Sequence, residues 1–115
     1  MNGVSTAEAV ARFGDAFDRH DVDAVMAAMT EDCVFETTAP PDGQRHVGQA
    51  AVRAAWTSFF LESADAAFEA EDQFILGDRA IVLWRYTWDG GHVRGIDVFR
   101  VRDGLVAEKA SYVKG

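Results

Sequence analysis

Asp97 interrupts an apolar strand pattern, Ile96-Asp97-Val98-Phe99, and alternation puts it on one face with Val93 and Phe99. A carboxylate in such a place has to be neutral, hydrogen-bonded or paired, because burying it as a lone charge is expensive. A neutral acid would donate a hydrogen bond to a carbonyl or enolate oxygen and stabilise the charge that develops there. A paired one would answer Lys109 on the last strand, or accept from Tyr86. Residue types and spacing leave both open. Trp84, Tyr86 and Trp88 fall at i, i+2 and i+4, so three large aromatics share one face of a neighbouring strand. They are either a flat wall for an apolar ligand or the filling of a core. Other chemistry is poorly supplied. His20, His46 and His92 have no metal-ligand spacing, and Cys33 is the only cysteine, so no metal site, disulfide or paired thiol is expected. Neither a phosphate loop nor a nucleophile elbow occurs, and no cofactor is expected.

The elements that would position these residues run helical first and extended afterwards. Ser5 and Glu8 form a Ser-x-x-Glu capping box at a helix start, and Val10, Phe13 and Phe17 then fall on one helical face. His20-Asp21 breaks the run. Asp21 can cap a second helix, with Val22, Val25, Met26 and Met29 spaced i, i+3, i+4, i+7. Residues 33–38 read as a short strand, Ala39-Pro40-Pro41-Asp42-Gly43 as a loop, and a third helix follows from about Gly48 with Val52, Ala55, Trp56 and Phe59 on one face. Strands are expected at 68–76, 80–88, 92–102 and 105–113, joined by Gly77-Asp78, Asp89-Gly90-Gly91 and Asp103-Gly104. Tight turns of this kind make an antiparallel meander.

Both faces of the meander are apolar: Ile81 and Leu83 back Trp84 and Tyr86, and Ile96 and Val98 back Phe99. A sheet with one wet face alternates apolar and polar residues, so both faces should be covered. Three helices suffice for one face of so small a sheet, which points to a second copy on the other and a homodimer. Composition agrees with a single domain over residues 1–115. Nineteen acidic against eleven basic residues, a formal net charge of −8, disfavours nucleic acid and anionic membranes as partners. No apolar run reaches the length of a membrane span, and Met1-Asn2-Gly3-Val4 carries no signal-like start, so a cytoplasmic location is expected.

Two stretches carry a family resemblance. His20-Asp21-Val22-Asp23-Ala24-Val25 through Thr30-Glu31-Asp32-Cys33-Val34-Phe35-Glu36 is one, and Gly95-Ile96-Asp97-Val98-Phe99-Arg100-Val101-Arg102-Asp103-Gly104 is the other. With the order of elements, they resemble the nuclear transport factor 2-like superfamily, including its SnoaL-like polyketide cyclases and ketosteroid isomerases. The resemblance implies an α+β fold: a cone-shaped, curved, mostly antiparallel sheet with three helices from the N-terminal half enclosing a pocket. It implies that Thr37, Trp84, Tyr86, Trp88, Asp97, Phe99, Lys109 and Ser111 face inward, with Phe13 and Trp56 from the helices. Ile96-Asp97-Val98-Phe99-Arg100 matches the isomerase stretch whose Asp donates a hydrogen bond to the substrate oxygen, an example treated generally as a carboxylic acid held neutral. The isomerase tyrosine falls on Phe13 and the general base on Thr37, so steroid isomerase activity itself is not expected. Glu36, one residue away, should point to the opposite side.

The resulting expectation is a cofactor-free proton-transfer enzyme of isomerase, cyclase or dehydratase type acting on a small apolar carbonyl compound. Asp97 would stabilise the oxyanion, and Lys109, or a water held by Thr37, would handle the proton. The alternative is a module that binds a hydrophobic ligand or dimerises without chemistry.

Overall fold

The computed structural model describes Ser5–Lys114; the reading of Met1–Val4 lies outside the described residues. Helix α1 spans Thr6–Asp18 and opens on the expected box, with Ser5 Oγ accepting from the Glu8 amide at 3.1 Å and a Glu8 carboxylate oxygen accepting from the Ser5 amide at 3.1 Å. It buries Ala9, Val10, Phe13, Ala16 and Phe17. His20 adopts a left-handed backbone (φ 54°), which turns the chain so that the amide of Asp21 reaches the carbonyl of Ala16. The Asp21 carboxylate then caps α2, Val22–Ala27, by accepting from the Ala24 amide at 3.0 Å.

Two boundaries depart from the sequence pattern. Met29, which fits the helical spacing of Val22, Val25 and Met26, instead starts strand β1, Met29–Glu36, so the strand expected at 33–38 is longer and begins earlier. Residues Arg45–Val47 form a short strand β2 that polar composition did not suggest; it pairs antiparallel with the end of β1, Phe35 opposite His46. Helix α3 then spans Gln49–Glu62 and buries Val52, Trp56 and Phe60. Gln49 joins its start to the α2–β1 turn by donating to the carbonyls of Met26, Met29 and Thr30. Strands β3 (Ala67–Leu76), β4 (Arg79–Trp88), β5 (Gly91–Arg102) and β6 (Leu105–Val113) follow, with Asp103 and Gly104 both at positive φ in the last hairpin.

The six strands form one open sheet in the order β2-β1-β6-β5-β4-β3. All neighbours are antiparallel except β1 and β6, which run parallel. Placing β6 between β1 and β5 makes it an interior strand, flanked by β5 along its length and by β1 as far as Ala110. Register shifts interrupt β1 before Val34, β3 between Ala70 and Asp72, and β6 between Val106 and Glu108, opposite Arg100 and Val101. An extra residue in one strand bends it and increases its twist, which curves the sheet. Helix α1 crosses the inner side of β3 to β6, and α3 lies against β1 and β2. The core between them includes Val25, Cys33, Val52, Trp56 and Val106. No described helix is long and apolar enough to cross a membrane.

Candidate functional site

The curved sheet and α3 leave a cavity of about 690 Å³. Strand alternation decides which residues meet it. From β4 come Trp84 and Tyr86, from β5 Val93 and Asp97, and from β6 Lys109 and Ser111; the register sets Asp97 opposite Ser111 and Phe99 opposite Lys109. Trp56 and Phe59 close it from α3, and Thr37 and His46 from the β1–β2 end.

A short polar chain borders this mostly apolar cavity. Lys109 Nζ donates to Ser111 Oγ at 2.8 Å, and Ser111 Oγ donates to Asp97 Oδ1 at 2.7 Å. Lys109 Nζ also stands 3.4 Å from the same Asp97 oxygen, with 8% of the lysine side chain and 13% of the aspartate side chain exposed. The pair is therefore nearly dry. Among the described residues, no protein hydrogen bond reaches Asp97 Oδ2. Asp97 stands against Lys109, bridged by Ser111, and among the described residues no hydrogen bond joins it to Tyr86. Burial pulls the Lys109 ammonium below its ordinary value, because a charge in an apolar site loses its hydration; the Asp97 carboxylate pulls the other way. Three rings restore part of the lost solvation. Nζ stands 5.0 Å from the centroid of Phe35, 5.1 Å from Trp56 and 5.6 Å from Phe17.

Seven of the ten residues singled out in the sequence border this cavity: Thr37, Trp56, Trp84, Tyr86, Asp97, Lys109 and Ser111. Phe13 and Phe99 do not. They pack edge to face at 5.6 Å behind the ion pair, beside a smaller cavity of about 230 Å³ that also touches Asp97 and Lys109. Trp88 requires a correction. It borders neither cavity and is 42% exposed, packed on Tyr86 at 5.7 Å, because β4 carries its third aromatic past the enclosed part of the sheet. Thr37 also closes the loop into β2, since its hydroxyl oxygen accepts from the Gln44 amide at 2.9 Å and its own amide donates to the Gln44 carbonyl at 3.0 Å. Phe35, Phe59 and Phe68 form further walls that the sequence did not single out. Phe35 had a readable signal, since it is two residues from Thr37 on the same side of one strand. Phe68 had none that separates a wall from a core position.

Trp84 depends on a gap. Gly95 is its partner across β4 and β5, and a Cβ on Gly95 would lie 2.6 Å from Trp84 Cζ2 and also meet the Tyr112 carbonyl oxygen. Only glycine allows the indole to lie flat over β5. No three His, Cys, Asp or Glu side chains converge among the described residues.

Known proteins share this fold. A solved NTF2-like protein of unknown function from Mesorhizobium loti is 43% identical, over 96% of this chain and 91% of its own, with a TM-score of 0.85. A candidate polyketide cyclase from Sinorhizobium meliloti is 24% identical over 90% of this chain and 93% of its own (TM-score 0.80). A candidate ketosteroid isomerase from Kribbella flavida is 19% identical over 96% of this chain and 78% of its own (TM-score 0.83). These two more distant likenesses concern the fold alone. No curated protein matches the chain. The SnoaL-like domain matches residues 10–109, nearly the whole of the sheet and helices described above, and the chain belongs to that family, with the NTF2-like α+β cone as its fold.

Proposed function

We propose that the cavity receives a small apolar carbonyl compound and that the Lys109–Ser111–Asp97 chain moves a proton on it. The observation that carries this is a dry ion pair in a mostly apolar cavity, with one carboxylate oxygen, Oδ2, left without a protein partner among the described residues. The roles differ from those of a neutral acid at Asp97. The Lys109 ammonium would donate to the carbonyl oxygen and take up the enolate charge. Asp97 Oδ2 would accept the α-proton, and Ser111 would keep the two charges in register. Aromatic walls at Trp84, Tyr86 and Trp56 would hold a flat ligand, and the sequence of steps needs no cofactor. A cytoplasmic setting and a homodimer joined through the outer sheet face belong to the same proposal.

Deuterium exchange at the α-carbon of a panel of enolisable aryl ketones, followed by NMR, tests it. The native protein is expected to speed exchange, and Asp97→Asn to lose about 100-fold of that rate, the lower end of what a positioned base contributes. Exchange no faster than in buffer would overturn the enzymatic reading. A second reading has its own support: Phe13 is a packed core residue, and Thr37 is already occupied in holding a loop. Ketone binding with no exchange would favour that non-catalytic, ligand-holding module.

A further inference from the structure

The chain has only two lysines, Lys109 and Lys114; its other nine basic residues are arginines. Lys109 is a primary amine in a dry, aromatic-walled space, and Lys114 is exposed beyond the end of β6. A lysine placed this way has a use that an arginine lacks, because an amine can become neutral and attack carbon. We propose that Lys109 forms a covalent imine with an aldehyde or reactive ketone held in the cavity.

The polar chain around it supplies each proton. Lys109 Nζ passes a proton to Ser111 Oγ as Ser111 passes its own to Asp97 Oδ1, along contacts of 2.8 and 2.7 Å. The result is a neutral amine and a neutral acid, a state whose cost relative to the ion pair falls in a site this dry. The amine lone pair then attacks the carbonyl carbon, and one amine proton moves to the oxygen, giving a carbinolamine. Asp97 returns its proton to that hydroxyl, water leaves, and a positively charged iminium stands beside a carboxylate. Charge is conserved from the initial ammonium–carboxylate pair to the final iminium–carboxylate pair, so the site needs no new counter-ion. Phe17, Phe35 and Trp56, which surround Nζ at 5.0 to 5.6 Å, face the iminium as they faced the ammonium. An iminium also acidifies the neighbouring C–H, and Asp97 is placed to take that proton, giving an enamine. The burial that pulls the Lys109 ammonium below its ordinary value favours the first step.

This inference rests on the reading of the cavity as a carbonyl site, and the two can fail separately. The folded native protein is incubated with 2-naphthaldehyde and cyanoborohydride, which reduces an imine to a stable amine, and the adduct is located by peptide mapping. Binding of the same aldehyde without reductant is followed by tryptophan fluorescence. The expected result is a naphthylmethyl group on Lys109, formed about tenfold faster than on Lys114, which serves as an exposed control within the same molecule. Asp97→Asn is expected to slow labelling of Lys109 and leave Lys114 unchanged. Labelling confined to Lys114 while the aldehyde binds overturns the imine and leaves the carbonyl site intact. Absence of both binding and Lys109 labelling overturns both.

Discussion

Lys109 and Asp97 are worth little to the fold as a pair and cost much as single charges. Two ions taken from water into a site this dry lose hydration that their attraction only partly restores, and removing one partner strands the other. Lys109→Met is therefore expected to destabilise the protein by about 3–5 kcal/mol, because Asp97 is then buried without its cation. Lys109→Met combined with Asp97→Leu should recover most of that loss, since an apolar replacement removes both hydration penalties. Urea denaturation of the two single variants and the double variant measures the coupling directly, and additive losses would show that the pair is not energetically linked. The same measurement has a pH dependence of known sign. Lys109 lies below its ordinary value of 10.5 when folded, so between the folded value and 10.5 the unfolded chain holds a proton that the native chain has lost. Stability must then rise with pH across that window relative to the double variant. Much of this is readable from residue types alone. An Asp among apolar neighbours demands a partner, and Lys109 is among those available. Ser111 reads only as a cavity residue, because its part in bridging the charges follows from a β5–β6 register that places it directly opposite Asp97.

At the scale of elements, the site is set by strand pairing. Asp97, Ser111 and Lys109 meet because β5 and β6 are adjacent, and the Lys109–Asp97 pair is nearly dry because α1 and the rings of Phe17, Phe35 and Trp56 cover that face of the sheet. The hairpin turns that create this pairing were legible, as were all three helices, since capping residues and helical spacing act locally. The β1–β6 parallel contact was not, because nothing in two short apolar runs more than sixty residues apart states which edges meet. Strand β2 was hidden for a similar reason: Arg45-His46-Val47 has no apolar alternation and is extended only because the end of β1 offers it hydrogen bonds. Trp88 shows the opposite limit. Alternation gives the side of a strand correctly, but how far along the strand the enclosed region reaches depends on sheet curvature. The most sensitive element contact is between β4 and β5 at Gly95. Gly95→Ala puts a methyl group 2.6 Å from the Trp84 ring and against the Tyr112 carbonyl, so either the indole tilts into the cavity or the strands part. We expect a stability loss of about 1–3 kcal/mol, as for an overpacked core, together with weaker aldehyde or ketone binding. Thermal unfolding and ligand titration check the two effects. Unchanged values in both would mean that the indole has another resting place.

For the whole molecule, the three helices lie on one side of the sheet, and the other side remains apolar. Register carries two rows across it: Phe74, Ile81, Val98 and Ala110, then Leu83, Ile96 and Tyr112. Phe74 is 51% exposed and Tyr112 is 56% exposed, while Ile81, Leu83, Ile96 and Val98 are only half-buried. The rows are bounded by Arg94 paired with Glu71 on one side and Arg100 paired with Glu108 on the other. An apolar centre with a charged rim is the form of an interface, and the outer face suits a second copy related by a two-fold axis, since the same patch then serves both copies. Negative charge does not oppose this, because the rim supplies both signs while much of the excess acid lies elsewhere. The placement also bears on the cavity: Asp97 lies between Ile96 and Val98, so pressing the outer face against a partner would stiffen the strand that carries it. Ile96→Glu puts a carboxylate in the centre of the face while leaving the inner side untouched. Sedimentation velocity at micromolar concentration should give a dimer for the native chain and a monomer for Ile96→Glu, with the monomer still folded by circular dichroism. If aldehyde labelling of Lys109 is as fast in that monomer as in the dimer, the site is complete in one chain; slower labelling would show that the partner holds β5 in place. A native chain that sediments as a monomer would leave the outer face without its proposed partner.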